Sequence, residues 1–351
     1  MWLATSCDVW LRLRLTDGDA IVATCASATA GTSIRHLSVG EHLHYYLLDL
    51  SFEQALPEGR WVGYELEPAS SSDAEPRWHG WREWAPDLCY PGRQGPGFIR
   101  RSRIRSLRHG SRRKPHHDGG DGLAAADRLR ARSLRPDDDD TTPRPVWPAL
   151  LLLTGDQVYV VDVCGPMLRA IHDLLDRLEL ANEGLAGSDD ADVRDTDSLY
   201  RHPCCYCHRE RLLPRRKRNF AVLEILFGGV EKPVFTADNA HNHLITPGEM
   251  LAMYPLAWSP AAWHDVMPDA PAGLDDADLR RYRQEASVLE GFVADLGRVR
   301  RVMAHGRRLL NGSGIGLVEL DDEGRPWRIR ELLANGGQCE FTRREDEWRW
   351  H

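Results

Sequence analysis

The sequence predicts a mixed α/β protein, α+β in character, with an antiparallel β-rich region at its amino end. Short runs of β-branched and aromatic residues, broken by turn formers, fill the first 68 residues, and from about residue 99 strand-like and helix-like patterns alternate. Within that second stretch Ala149-Leu150-Leu151-Leu152-Leu153 is an unbroken apolar run, the pattern of a strand covered on both faces. A chain of 351 residues, 42% hydrophobic, is long enough for two domains and a sizeable core.

Strands are expected at Asp8 to Leu15, Ala20 to Cys25, His42 to Leu50 and Arg60 to Leu66, separated by turns such as Asp17-Gly18-Asp19 and Pro57-Glu58-Gly59. These make residues 1–68 a small β domain. Residues 69–98, with tryptophans and prolines, read as a connector packed on a surface, and 99–351 as the second domain. There Ile104 to Arg108 is a short strand leading into the polar loop His109 to His117. Leu123, Ala126, Leu129 and Leu134 recur at helical spacing behind Asp121, which suits the helix start. After the apolar run at 149–153 comes Thr154-Gly155-Asp156. Gly165-Pro166 then opens an amphipathic helix with Met167, Leu168, Ile171, Leu174, Leu175 and Leu178 on one face. This β-α-β-α succession calls for a right-handed crossover and parallel strands, bringing the loops at 109–117 and 155–159 to the carboxyl edge of one sheet, where such sheets bind ligands.

Farther on, Phe220 to Leu226 and Val234 to Thr236 look like buried segments, and Thr246 to Trp258 looks helical until Pro255 interrupts it. Leu279, Tyr282, Ala286, Leu289, Phe292, Leu296, Val299 and Val302 keep steps of three or four, which predicts a long helix over Asp278 to Ala304. Gly314 to Leu320, Trp327 to Leu333 and Gln338 to Phe341 read as a β-meander.

A formal net charge of −8 argues against a nucleic-acid binder. Only three of the 45 basic residues are lysines, a skew better explained by codon composition than by binding. The eight cysteines are too few for a disulfide scaffold at this length. Arg12 and Arg14, and then Asp17 and Asp19, interrupt the first twenty residues where a signal peptide needs an apolar stretch, and the longest apolar run, Val146 to Leu153, is far short of a bilayer span. A cytoplasmic protein with no membrane span is expected.

Two clusters invite chemistry. Asp156, held past a buried strand by a glycine turn, is a rigid hard ligand able to bridge two cations, and Tyr159 can add a phenolate oxygen. From spacing alone an ordinary strand-to-loop turn is the simpler reading. His202-Pro203-Cys204-Cys205-Tyr206-Cys207-His208 has donors soft enough for zinc, but one heptapeptide rarely wraps a tetrahedron, so a loop of incidental cysteines is the preferred reading. His241-Asn242-His243 reads as a structural turn, and Gly312-Ser313-Gly314-Ile315-Gly316, with no helix after it, as a strand entry.

The string LLLLTGDQVYVVDVCGPMLRAIHDLLDRLEL resembles the GDQIYADDV segment of a bacterial branch of the PhoD-like (alkaline phosphatase D) metallophosphoesterases. The resemblance extends to HGSRRKPHHDGGDGLAAADRL, RERLLP, VFTADNAHNHLITPGEMLAMYPLAWSP and RRLLNGSGIGLVELDDEGRPWRIRELLANGGQCEF, and so covers most of the chain. It implies an α/β/β/α sandwich with a binuclear metal centre, iron plus a second cation such as calcium, hydrolysing phosphate esters. On this resemblance Asp156 bridges the metals and Tyr159 binds iron; His116, His117 and Asp162 are candidate additional ligands by residue type, which the resemblance does not assign.

The sequence departs from that family in two places. Arg112 stands where the family has an iron-binding cysteine, and a guanidinium cannot ligate a metal. The long helix, followed in the family by an Asp-Asp-His-Asp block and later Gly-Asn and Gly-Asp-Val-His blocks, here ends at His305 and runs straight into the family's carboxyl-terminal segment. Two cations need about eight to twelve coordination positions. The expectation is therefore a partial sandwich, shortened after about residue 305, whose phosphatase or phosphodiesterase activity is impaired and to which no catalytic residue is assigned. His305 is one group that could stand in for a lost ligand. A non-catalytic interaction or zinc-binding module is the alternative. Strand edges bared by the missing segment also predict self-association.

Overall fold

A computed structural model of the chain describes residues 1–27, 33–50, 52, 54–104, 106–111, 113–115, 117–134, 147–155, 157–185, 188, 190–212, 215–216, 232–233, 242–266, 269–305, 308–311, 315–320, 326–332, 338–344 and 347–350. It has the mixed α/β character expected.

The amino-terminal strands are β1 (Trp2–Thr5), β2 (Val9–Asp17), β3 (Ala20–Ala26), β4 (Ser33–Ser38), β5 (His44–Asp49) and β6 (Trp61–Ser70). A short helix α1 (Trp81–Trp84) and a strand β7 (Gly97–Ile99) follow. They form two antiparallel sheets, ordered β1-β5-β4 and β3-β2-β6-β7. Strand alternation decides what lies between them: Val9, Leu11, Leu13 and Leu15 of β2 are buried with Tyr46, Leu48, Val62, Tyr64 and Leu66. The opposite face of β2 carries Arg12 and Arg14, each directly across from a glutamate of β6 and paired with it, Arg12 to Glu67 at 2.7 Å and Arg14 to Glu65 at 2.8 Å. The expected connector at 69–98 is not wholly separate, because β6 runs on to Ser70 and β7 returns to pair with it.

The second region is built on a parallel sheet. β8 (Leu107–Gly110) begins three residues later than the apolar pattern suggested, and α2 (Gly122–Ser133) is capped by the Asp121 carboxylate, which accepts from the Leu123 amide at 2.8 Å. β9 (Leu150–Thr154) pairs in parallel with β8, as the crossover rule requires. Then come α3 (Gly165–Arg177), α4 (Thr196–Arg201), the two-residue antiparallel pair β10 (Arg215–Arg216) and β11 (Lys232–Pro233), α5 (Pro247–Trp258) and α6 (Asp276–Ala304). The apolar face of α3 packs against Leu199, Leu244, Met253, Leu256, Leu289, Phe292 and Leu296, the largest core among the described residues.

After α6 the chain passes at once into β12 (Arg308–Asn311), which joins the other flank of β9 in parallel, giving the order β12-β9-β8. The meander follows as β13 (Ile315–Leu320), β14 (Pro326–Leu332) and β15 (Gln338–Arg344), with a fourth strand, β16 (Glu347–Trp350), beyond the three that the turn signals marked. The segments expected at Phe220 to Leu226 and Val234 to Thr236 lie outside the described residues. No described helix is long and apolar enough to cross a membrane.

Two features of the core correct or extend the sequence reading. Pro255 does not interrupt its helix, which continues to Trp258. A proline inside a helix leaves the carbonyl four residues back without its partner, here Leu251, and the Tyr45 hydroxyl of β5 donates to that oxygen at 2.9 Å. Arg209 and Glu249, forty residues apart, form a fully buried two-pronged ion pair, Nη2 to Oε1 at 2.6 Å and Nη1 to Oε2 at 3.0 Å. Burial alone would raise the Glu249 carboxyl; the guanidinium and the His172 contact reverse this and hold it far below the carboxylate range. Glu249 also closes a capping box with Thr246 at the start of α5, so one carboxylate serves helix and ion pair together.

Candidate functional site

The carboxyl edge of the parallel sheet is assembled by register. Gly110 at the end of β8 lies opposite Leu153, and Asn311 at the end of β12 lies opposite Thr154, so three strand ends converge on Gly155. Gly155 has φ +99°, a conformation that side chains rarely adopt, and the chain turns sharply there. The β8 and β9 ends are stitched together: His109 Nε2 and Thr154 Oγ1 are 2.5 Å apart, and the Ser111 hydroxyl donates to the Thr154 carbonyl at 3.3 Å.

Beyond Ser111 the loop is fixed by two cations. The buried Arg113 donates to Asp121 at 2.8 Å and to the Ala257 carbonyl at 2.5 Å, with its guanidinium over the rings of Trp258 and Phe292. It thereby ties the loop to the start of α2 and the end of α5. Lys114 turns the other way. Its ammonium donates to Asp162 at 2.9 Å and stands 5.3 Å from the centre of the Tyr159 ring.

Of the residues singled out in the sequence, Tyr159 and Asp162 are thus brought together by Lys114, a group the sequence reading did not single out. His117 is engaged locally, its Nδ1 accepting from the Gly119 amide at 3.0 Å. Asp156, His116 and Arg112 lie outside the described residues. His305 is not at this edge. It precedes β12, at the amino end of the sheet, where its ring packs on Tyr90 and its Nδ1 is 2.7 Å from the Arg301 carbonyl. Burial holds its pKa down at about 3, against the opposing pull of that carbonyl.

Among the described residues two groups bring three or more histidine, cysteine or carboxylate donors within 4.8 Å of one another, Asp8 with His36 and His44, and Glu41 with His42 and Glu179. Neither includes Asp162 or His117, so the described residues of this edge supply no such three-donor group. Thr154 lies on β9 itself, whereas the Asn311 backbone position could be anticipated only by knowing which strands flank β9.

The heptapeptide 202–208 also disperses its donors. His202 Nδ1 accepts from the Cys204 amide, His208 lies between Glu210 and Asp278, and Cys205 accepts from Arg209. Burial raises the Cys205 thiol and pushes the Cys207 thiol up to about 12. Within 241–243, Asn242 is a buried strut, its side-chain amide donating to the Tyr206 carbonyl at 3.1 Å; His241 lies outside the described residues. Comparison of the chain with family models, with curated proteins and with solved structures returns no match.

Proposed function

We propose that this chain descends from PhoD-like metal-dependent phosphate-ester hydrolases and has lost their hydrolytic centre. The observation that carries the reading is the strand after α6. On the resemblance described above, the chain leaving the long helix carries an Asp-Asp-His-Asp ligand block; here it is Arg308-Leu309-Leu310-Asn311, laid directly against β9 with Asn311 opposite Thr154. The flank of β9 on which further ligands would approach Gly155 is occupied by a strand without a carboxylate or imidazole. The Lys114 ammonium on Asp162 and over the Tyr159 ring supports the same reading, because a cation already paired with that carboxylate opposes binding of another.

The residues left at the edge can hold a phosphate ester or a single weakly bound cation. They cannot set two cations at the separation of about 3.5–4 Å that in-line displacement requires. The expected outcome is that the purified chain, supplied with iron and calcium, hydrolyses neither 4-nitrophenyl phosphate nor bis(4-nitrophenyl) phosphate above the buffer rate. Turnover that Asp156→Ala abolishes would overturn the proposal.

A further inference from the structure

We propose that Asp8, His36 and His44 hold a zinc-class divalent cation at one end of the amino-terminal sandwich, with the Ser38 hydroxyl or a water in the fourth position. The ladder between β4 and β5 sets Ser38 opposite His44 and His36 opposite Tyr46, so the two histidines are diagonal neighbours on adjacent strands. His36 Nε2 and His44 Nδ1 are 3.1 Å apart, Asp8 Oδ1 is 3.8 Å from His36 Nε2, and Ser38 Oγ is 3.3 Å and 3.1 Å from the two imidazole nitrogens. Zinc–nitrogen bonds of about 2.0–2.1 Å in a tetrahedron imply about 3.3 Å between ligand nitrogens. Asp8 Oδ1 must approach His36 Nε2 by about half an ångström to reach that spacing, which an exposed side chain can do.

Proton placement points the same way. The Glu41 carbonyl can only accept, so His44 Nε2, 3.1 Å from it, carries the ring proton and leaves a lone pair on Nδ1 aimed into the cluster. The Tyr46 hydroxyl donates to Asp8 Oδ1, keeping that carboxylate in place, and the Tyr46 ring stacks on His36 at 4.4 Å with 5° between planes. Backing hydrogen bonds of this kind orient metal ligands. Two imidazoles and one carboxylate with an open fourth position suit zinc better than calcium, which takes six to eight oxygens. Asp8 leads into β2 whereas His36 and His44 belong to the facing sheet, so a bound cation would cross-link the two layers.

The test is equilibrium dialysis of the chelator-treated full chain against zinc chloride, with calcium chloride in a parallel arm. One equivalent of zinc is expected, weakened at least tenfold by His36→Ala and by Asp8→Asn and unchanged by His42→Ala, and cobalt(II) in its place should show the visible absorption of a tetrahedral site. Both weakening substitutions alter side chains that reach solvent, 33% exposed for His36 and 51% for Asp8, and circular dichroism establishes that the variants are folded. Absence of zinc binding overturns the proposal, as does zinc held equally by His36→Ala, loss of zinc on His42→Ala, or preference for calcium. In the first of these cases the histidines share a proton rather than a metal.

Discussion

Single side chains in this protein carry opposed demands, and Glu249 shows the balance most sharply. Its carboxylate is fully buried, accepts from Arg209 through both oxygens, accepts from the Ile245 and Thr246 amides, and touches His172. Removing one partner of a buried pair leaves an uncompensated charge, at a cost of about 3–5 kcal/mol, whereas replacing both with apolar groups of similar volume is often nearly neutral. Glu249→Ala should therefore lower the urea midpoint by that equivalent, and the double change Glu249→Leu, Arg209→Met should recover much of it. Near-native stability of Glu249→Ala would contradict the assignment. The helix expected over Thr246 to Trp258 puts Glu249 in its first turn, where it lies; that it also neutralises Arg209 depends on a meeting of distant segments that no local pattern encodes. The same limit applies at the sheet edge, where Tyr159 and Asp162 stand out in the sequence but Lys114, which engages both, does not.

At the level of elements, periodicity and caps made α2, α3, α6, β9 and the first three strands of the meander readable, because each buries one stripe or one face. Helix α5 was readable except at Pro255, where the local rule predicts a break and a distant hydroxyl removes the reason for it. The hydrogen bond from Tyr45 to the Leu251 carbonyl satisfies the acceptor that the proline ring strands. Tyr45→Phe should cost about 1–3 kcal/mol, and in the Pro255→Ala background, where a restored backbone amide at that position reclaims the carbonyl, distinctly less. Additive losses in this double-mutant cycle, followed by thermal unfolding, would show that the two groups are independent. The placement of β12 was not readable either: Arg-Leu-Leu-Asn has no distinctive alternation, and its partner lies over 150 residues earlier.

For the molecule as a whole, His172 and His305 are buried where charge is costly. Burial pushes His172 down to about 4, partly offset by Glu249, and His305 to about 3, while both titrate near 6.5 once unfolded. The unfolded chain therefore takes up protons first. Stability from these groups is complete above about pH 6.5 and declines as pH falls toward the folded values, by about 2 kcal/mol per histidine at pH 5. Urea unfolding at pH 7 and pH 5 checks this, and His305→Asn should flatten the decline by about half; a pH-independent midpoint over that window would contradict it.

Strand β5 has a consequence for how the protein can be dissected. Neighbouring tyrosines on it face opposite ways, Tyr46 toward Asp8 inside the sandwich and Tyr45 toward Leu251 in the helical layer, and Tyr64 of β6 likewise donates to the Ala304 carbonyl at the end of α6. Severing the chain near residue 99 would strip both helices of hydroxyls supplied by the other half. The amino-terminal piece is thus less a detachable module than a bracket, and the carboxyl-terminal half expressed by itself would begin life with carbonyls that only its missing counterpart can serve.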